Sequence, residues 1–392
     1  MRIVHVITCL LNGGSEENTI ATCNGQANRG HEVWLLYGRE FDQDKKATVS
    51  DKVRMRQVPE LVRHLDPYRD LKALFDIGKT LREIKPTVLH THASKAGFLG
   101  RLAACHSGIP IVLHGVHILP FLNVSPTRRV LYLAMERLVA PRTDAFVAVS
   151  QGMKDANVSA GLGSVENNFV VYSGMDVERF KHAVPIETRP EGRMLTMVAS
   201  LEARKRHLDF IDVFARLTQH HPDLNLCLVG EGEFEAEIIA KIEKYGIGTK
   251  VRLEGFRPNV EQYIAAADIC VLASKREGLP RVVVQYVAAG KPVVLTWLPG
   301  VEEILKHGVN GLIIDSEEVA DMEGDLNQLL SDEDMMKDMA ENSLQFDVSK
   351  WSLGAMEPKI EAIIRNLVQK KGVSIDGHSG SETAQLEVKA SQ

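Results

Sequence analysis

Glu277 stands directly ahead of Gly278-Leu279-Pro280, and an apolar run from Arg281 to Ala288 leads into Ala289-Gly290-Lys291-Pro292. A turn-forming tetrad before such a run predicts a loop, a helix start, a short buried helix, a glycine stop and the next strand. Open amides at a helix start suit an anion, so Glu277 beside them is either a ligand contact or simple compensation of the helix dipole. Arg204-Lys205-Arg206 opens another helix, where three cations oppose the dipole and call for a bound anion such as a diphosphate, or else form a solvated basic turn. His114 and His117 sit at a strand end, where an imidazole can exchange hydrogen bonds with a hydroxyl, stabilise developing charge, or merely fill a core. His90-Thr91-His92-Ala93-Ser94-Lys95 gathers donors at a further strand end, with Ser94 expected to cap the helix that follows. His90 and His92 share one side of that strand at a metal-compatible spacing, but neither carboxylate nor cysteine accompanies them, so no metal is expected. Gly13-Gly14 after the first strand, and Gly230-Glu231-Gly232 later, allow close approach of a ligand to the backbone. The glycine fingerprint of nicotinamide dinucleotide sites is missing at Gly13. Asp42-Gln43-Asp44 and Asp332-Glu333-Asp334 read as solvated charge.

The elements that must hold these groups alternate along the chain. Apolar strands near residues 2–9, 33–37, 87–92, 111–114 and 145–150 are interleaved with helices, and the same pattern restarts at 195–200 and continues through 292–296. Nearly continuous apolar strands between helices imply parallel sheets covered on both faces. The α/β chain therefore divides into two doubly wound, Rossmann-like domains, 1–180 and 181–370, joined by a polar linker at 181–193 and facing a central cleft. The helix at 351–368 is expected to cross back to the first domain, and 371–392 to be a disordered tail. The 392 residues are 44% hydrophobic and 25% charged with a net charge of −6, which speaks against bulk nucleic-acid binding. Five scattered cysteines without paired spacing suit a reducing compartment. No run approaches the ~20 apolar residues of a membrane span, so a soluble or peripheral protein is expected. Residues 118–142 join an apolar stretch, Ile118 to Leu122, to Arg128, Arg129, Arg137 and Arg142, and suit docking on an anionic membrane surface or an ordinary packed helix.

Taken together, Glu277 to Pro280 with Ala288 to Val294, Gly300-Val301-Glu302-Glu303, Asn310 to Ile314, Leu228 to Gly232, and His92 to Arg101 resemble the family 4 retaining glycosyltransferases of the GT-B fold. The last of these motifs is similar to the bacterial polysaccharide and lipopolysaccharide branch, and the resemblance spans roughly residues 1–370. It implies transfer of a sugar from a UDP- or GDP-type donor to a glycan or lipid-linked acceptor, with retention and without a metal or other cofactor, at the cytoplasmic face of the membrane. It gives Glu277 the donor sugar hydroxyls and places His117 by the reacting centre. Gly278, Leu279 and Pro280 would lie near the sugar and phosphate, Lys205 and Arg204 on the diphosphate, and Gly13 and Gly14 beside the donor. Phe256 and Arg257 would flank the base, Glu231 would lie on the donor side, and His92, Ser94 and Lys95 on the acceptor side. The family places a second glutamate where this chain has Gln285, and often an arginine where it has Ser200; Gln285 keeps one acceptor oxygen for a ribose but loses the charge. A sugar-nucleotide 2-epimerase and a catalytically impaired relative acting as a binding partner are the competing functions.

Overall fold

The computed structural model describes residues 1–122, 124–315 and 318–374. The strands are β1 (Arg2–Ile7), β2 (Glu32–Tyr37), β3 (Val53–Gln57), β4 (Val88–His92), β5 (Ile111–Val116), β6 (Ala145–Ala148) and β7 (Asn168–Val170), then β8 (Met194–Val198), β9 (Asn225–Val229), β10 (Val251–Leu253), β11 (Ile269–Leu272), β12 (Val293–Thr296) and β13 (Gly311–Ile314). They form two sheets, ordered β3-β2-β1-β4-β5-β6-β7 and β10-β9-β8-β11-β12-β13. Every paired neighbour runs parallel, as strands buried on both faces require. In each sheet the winding reverses beside its first strand, between β1 and β4 and between β8 and β11. Crossovers there leave toward opposite faces and open a crevice at the carboxyl ends. The loops at Gly13, His92, His117, Arg204, Gly230, Phe256 and Glu277 leave from those ends.

The edge strands β3 and β7 are not legible as apolar runs, because β3 alternates Val53, Arg54, Met55, Arg56 and β7 has only three residues. After β12 the chain makes a single tight turn, Val301–Glu303. Asn310 stops it, accepting from the Lys306 amide at 2.7 Å and donating to the Ile304 carbonyl at 3.1 Å. Shorter helices span Gln43–Ala47, Gln151–Ser159 and Met322–Ser331.

The helix Leu353–Lys371 lies on the first sheet, where Met356, Ile360 and Ile364 pack with Ile3, Val88 and Ile111. Lys371 still belongs to it, and Gly372 ends it at φ 61°; the remainder of the expected tail, 375–392, lies outside the described residues. The second domain's core also runs on into the first, joining Val116, Leu119, Phe121 and Met153 to Leu279, Leu298 and Val301. Leu119 and Phe121 are thus interdomain core, so within 118–142 these two residues follow the packed alternative and not the membrane one. Across the same boundary Glu303 accepts from the Gln151 and Gly152 amides at 2.8 and 3.3 Å and from the Tyr172 hydroxyl at 2.6 Å.

Candidate active site

After β8 the chain makes one tight turn, Ala203–Lys205, and Arg206 takes a left-handed conformation to start the helix His207–His220. This turn separates the three cations. Arg206 folds onto its own helix and binds Asp209 at 2.8 Å. Arg204 and Lys205 instead meet the loop after β11, where the Glu277 carboxylate accepts from Arg204 Nη1 at 3.0 Å and from Lys205 Nζ. Burial opposes ionisation of Glu277, but the Lys205 and Arg204 charges outweigh it and hold the carboxyl below the ordinary range. A backbone bond from the Lys275 amide to the Arg204 carbonyl, 2.8 Å, locks the two loops together. Arg204 also donates from Nε to Glu202 at 2.8 Å, so at the switch point two cations are held by two carboxylates.

Gly278 presses this loop against the first domain. A Cβ there would lie 2.0 Å from the His117 carbonyl oxygen, so only glycine permits the approach. Leu279 is buried, and Pro280 precedes the helix Arg281–Ala288. Arg281 crosses the cleft, donating to Glu17 at 3.1 Å and to the Gly174 carbonyl at 3.1 Å. Its stem lies on Gly14, where a Cβ would come within 2.7 Å of Arg281 Cδ. Gly14 therefore brings the helix Gly14–Asn28 up to the domain boundary, while a Cβ on Gly13 would meet Glu16 of the same helix.

His117 enters from the end of β5. Burial, reinforced by the Arg281 charge, depresses it to about 4, so it is a neutral imidazole at pH 7. Its Nε2 lies 3.0 Å from His92 Nδ1. His92 was expected to face the acceptor; the structure corrects this, because the residue is 1% exposed and its other nitrogen is bound to His5 Nδ1 at 2.9 Å. It stands behind His117. His114, one step out of phase, points to the opposite face and binds the Thr91 hydroxyl at 3.0 Å. Ser94 does not cap its helix: the capping position is Ala93, at φ 59°, and the Thr8 hydroxyl accepts from the Ala96 amide at 3.1 Å instead. Such a conformation costs a non-glycine residue on the order of 1–3 kcal/mol, and it redirects the backbone between His92 and Ser94. Lys95 binds Asp70 at 2.6 Å and the His64 carbonyl.

On the nucleotide side, Phe256 is 47% exposed at the end of β10, and Arg257 binds Glu254 at 3.0 Å. Glu231 is exposed between Gly230 and Gly232. Those glycines pass so close to the end of β8 that a Cβ on Gly230 would meet the Ala199 carbonyl at 2.0 Å. Gln285 is half-buried, and its side chain makes no hydrogen bond among the described residues. Ser200 is half-buried as well. Asp42 and Asp332 each cap a helix, binding the Lys45 and Met335 amides at 2.8 and 2.9 Å. Among the described residues, one group, His5, His90 and His92, has ligating atoms within 4.8 Å of one another; an ion there would have to break the His5–His92 hydrogen bond.

Sequence reading missed Arg281, Glu17, His5 and Gln26, and quoted Glu303 only as part of a motif. A cation at the first turn of the 281–288 helix opposes the dipole and so signalled a partner. His5 was visible as the one polar residue inside the apolar strand Ile3–Ile7.

Two family models divide the chain between them: the Glycosyltransferase Family 4 model matches residues 12–179 and the Glycosyl transferases group 1 model residues 178–346. An Escherichia coli UDP-Gal:alpha-D-GlcNAc-diphosphoundecaprenol alpha-1,3-galactosyltransferase is 25% identical over 82% of this chain and 86% of its own length. The putative glycosyltransferase EpsD of Bacillus subtilis is 28% identical over 72% of this chain and 76% of its own. Among solved structures, Anabaena HepE in complex with UDP-glucose matches with a TM-score of 0.76 at 20% identity, over 93% of this chain and all of that one. Sucrose-phosphate synthase from Thermosynechococcus elongatus matches at 0.79 and 16% identity, over 94% of this chain and all of that one. With two parallel sheets meeting at their carboxyl ends and both halves matched, the chain belongs to the family 4 glycosyltransferases and has the GT-B fold.

Proposed function

We propose that the protein is a retaining, metal-independent transferase that moves a sugar from a UDP-sugar to a lipid-linked glycan acceptor during surface polysaccharide or lipopolysaccharide synthesis. The observation that carries this reading is the Arg204–Lys205–Glu277 corner held against His117 by Gly278. A diphosphate entering there takes over the two cations, and the freed Glu277 carboxylate accepts from sugar hydroxyls. Positive charge from Lys205, Arg204 and the helix amides then stabilises the leaving diphosphate as the glycosidic bond breaks. The departing phosphate oxygen takes the acceptor's proton on the same face, which yields retention. His117, neutral at pH 7, offers a hydrogen bond beside the reacting carbon. Uridine is favoured over guanosine by the UDP-Gal named for the Escherichia coli relative, and a lipid-linked acceptor by the diphosphoundecaprenol in the same name.

The test is nucleoside diphosphate release, UDP or GDP, from a panel of UDP- and GDP-sugars with an undecaprenyl-diphosphate-linked GlcNAc acceptor, with and without EDTA, followed by proton NMR of the new anomeric centre. Transfer with an unchanged anomer in EDTA supports the reading. An inverted anomer, loss of activity in EDTA, or an isomerised sugar nucleotide overturns the corresponding part. Binding of UDP without turnover would make the protein a non-catalytic relative.

The acceptor reading also asks for a membrane surface. Among the described residues no helix is long and apolar enough to cross a membrane. The helix Pro126–Val139 buries only Glu136 and Val139 and exposes Val130, Leu131 and Leu138 beside Arg128 and Arg129. A buried ion pair, Arg101–Glu136 at 2.6 Å, fastens it from below. We place peripheral docking there, at the inner face of the cell membrane. Flotation with vesicles containing anionic lipid should capture the protein, whereas capture independent of anionic lipid or of Arg128 and Arg129 would refute this.

A further inference from the structure

We propose that Gln26, His5 and His92 act as positioning residues, forming one hydrogen-bonded chain that fixes His117 as the tautomer with its hydrogen on Nε2 and its lone pair on Nδ1. For catalysis this rests on the role of His117 proposed above; the chain itself does not.

The sheet register assembles the chain. His5 of β1 lies opposite His90 of β4, and His92 lies opposite Gly115 of β5, so residues two apart project on one face and converge below His117. Gln26 Oε1 lies 2.7 Å from His5 Nε2, His5 Nδ1 lies 2.9 Å from His92 Nε2, and His92 Nδ1 lies 3.0 Å from His117 Nε2. Gln26, His5 and His92 are no more than 4% exposed, so solvent does not compete for these bonds. Gly115 leaves the necessary space, since a Cβ there would come within 2.9 Å of both His92 Nδ1 and His117 Nε2.

A neutral imidazole has one donor and one acceptor nitrogen, so each ring passes the direction of its bond to the next. Burial depresses His5 and His117 to about 4 and His92 well below its ordinary value, which keeps all three neutral at pH 7. The Gln26 oxygen can only accept. His5 must then donate from Nε2, His92 from Nε2 and His117 from Nε2, which leaves Nδ1 of His117 as an acceptor for a hydroxyl. Turning the amide over would reverse all three rings together and make Nδ1 a donor. Gln26, two residues removed from the ring that meets substrate, therefore sets what that ring offers. His117 Nδ1 has no hydrogen-bond partner among the described residues.

The experiment is two-bond proton–nitrogen NMR on the full-length protein labelled with 15N-histidine, read together with steady-state kinetics on whichever UDP-sugar turns over. The wild type should show His5, His92 and His117 all in the Nε2–H form. Gln26→Met removes the terminal acceptor, and His117 should become a tautomer mixture. Its kcat should fall about tenfold or more while the donor KM stays within about twofold. Gly115→Ala, which breaks the chain at its last link, should give the same pair of changes. Different tautomers among the three rings of the wild type overturn the proposal whether or not a variant folds. So does an unchanged His117 tautomer in folded Gln26→Met. Normal turnover in His117→Ala would instead overturn the catalytic role of His117, leaving the spectra to decide the chain.

Discussion

Gly278→Ala tests how the two domains meet. Gly278 is not among the positive-φ residues, so alanine meets no backbone strain, and the contact with His117 is tested by itself. The new Cβ would lie 2.0 Å from a main-chain carbonyl oxygen, where real contacts are essentially never under 3.0 Å. No rotamer relieves a clash between two main-chain-fixed atoms, so the loop after β11 and the loop after β5 must separate by about 1 Å. That moves Glu277 relative to His117, and a misplacement of about 1 Å costs about 100-fold in rate, or about 2.7 kcal/mol of transition-state stabilisation. Arg204 and Lys205 both belong to the second domain, so UDP affinity should hold within about twofold. Steady-state kinetics with a UDP-sugar and calorimetric titration of UDP separate the two effects. A kcat/KM within about threefold of wild type would show that the contact does not set the reacting geometry.

Glu277→Gln removes the carboxylate that Arg204 and Lys205 share and leaves Glu202 on Arg204, so UDP should bind about fivefold tighter while transfer falls about 100-fold; calorimetry and initial rates measure both. Gln285→Glu places a charged acceptor at an amide that has no hydrogen-bond partner among the described residues, and should tighten UDP about fivefold, read by thermal shift against UDP concentration. The pH dependence of stability follows from the buried histidines. His5 and His117 titrate near 4 in the folded chain against 6.5 ordinarily, so between those values the unfolded state binds more protons and folding loses stability as pH falls. The loss is on the order of 3 kcal/mol for each, and the melting temperature should begin to drop near pH 6.5, well above the carboxylate range. A melting temperature flat down to pH 5 would contradict burial of neutral imidazoles.

The sequence alone determined the two parallel-sheet domains, because apolar runs alternating with helical segments have no other economical burial. It also marked nearly every loop at the carboxyl edge, since glycine turns, clustered cations and strand-end histidines are local signals. Contacts between loops distant in the chain were decided only by the tertiary structure. Nothing local told Arg204 and Lys205, which turn toward Glu277, from Arg206, which turns to Asp209; that choice depends on one left-handed residue. Ser94 looked like a helix cap, yet Ala93 takes that position and Thr8, 88 residues earlier in the chain, serves the Ala96 amide. His92 looked like a surface contact until strand register placed it between His5 and His117. Pairing of β1, β4 and β5 brings side chains 25 and 87 residues apart into one buried chain of hydrogen bonds. Register is a property of the assembled sheet, and no single strand carries it.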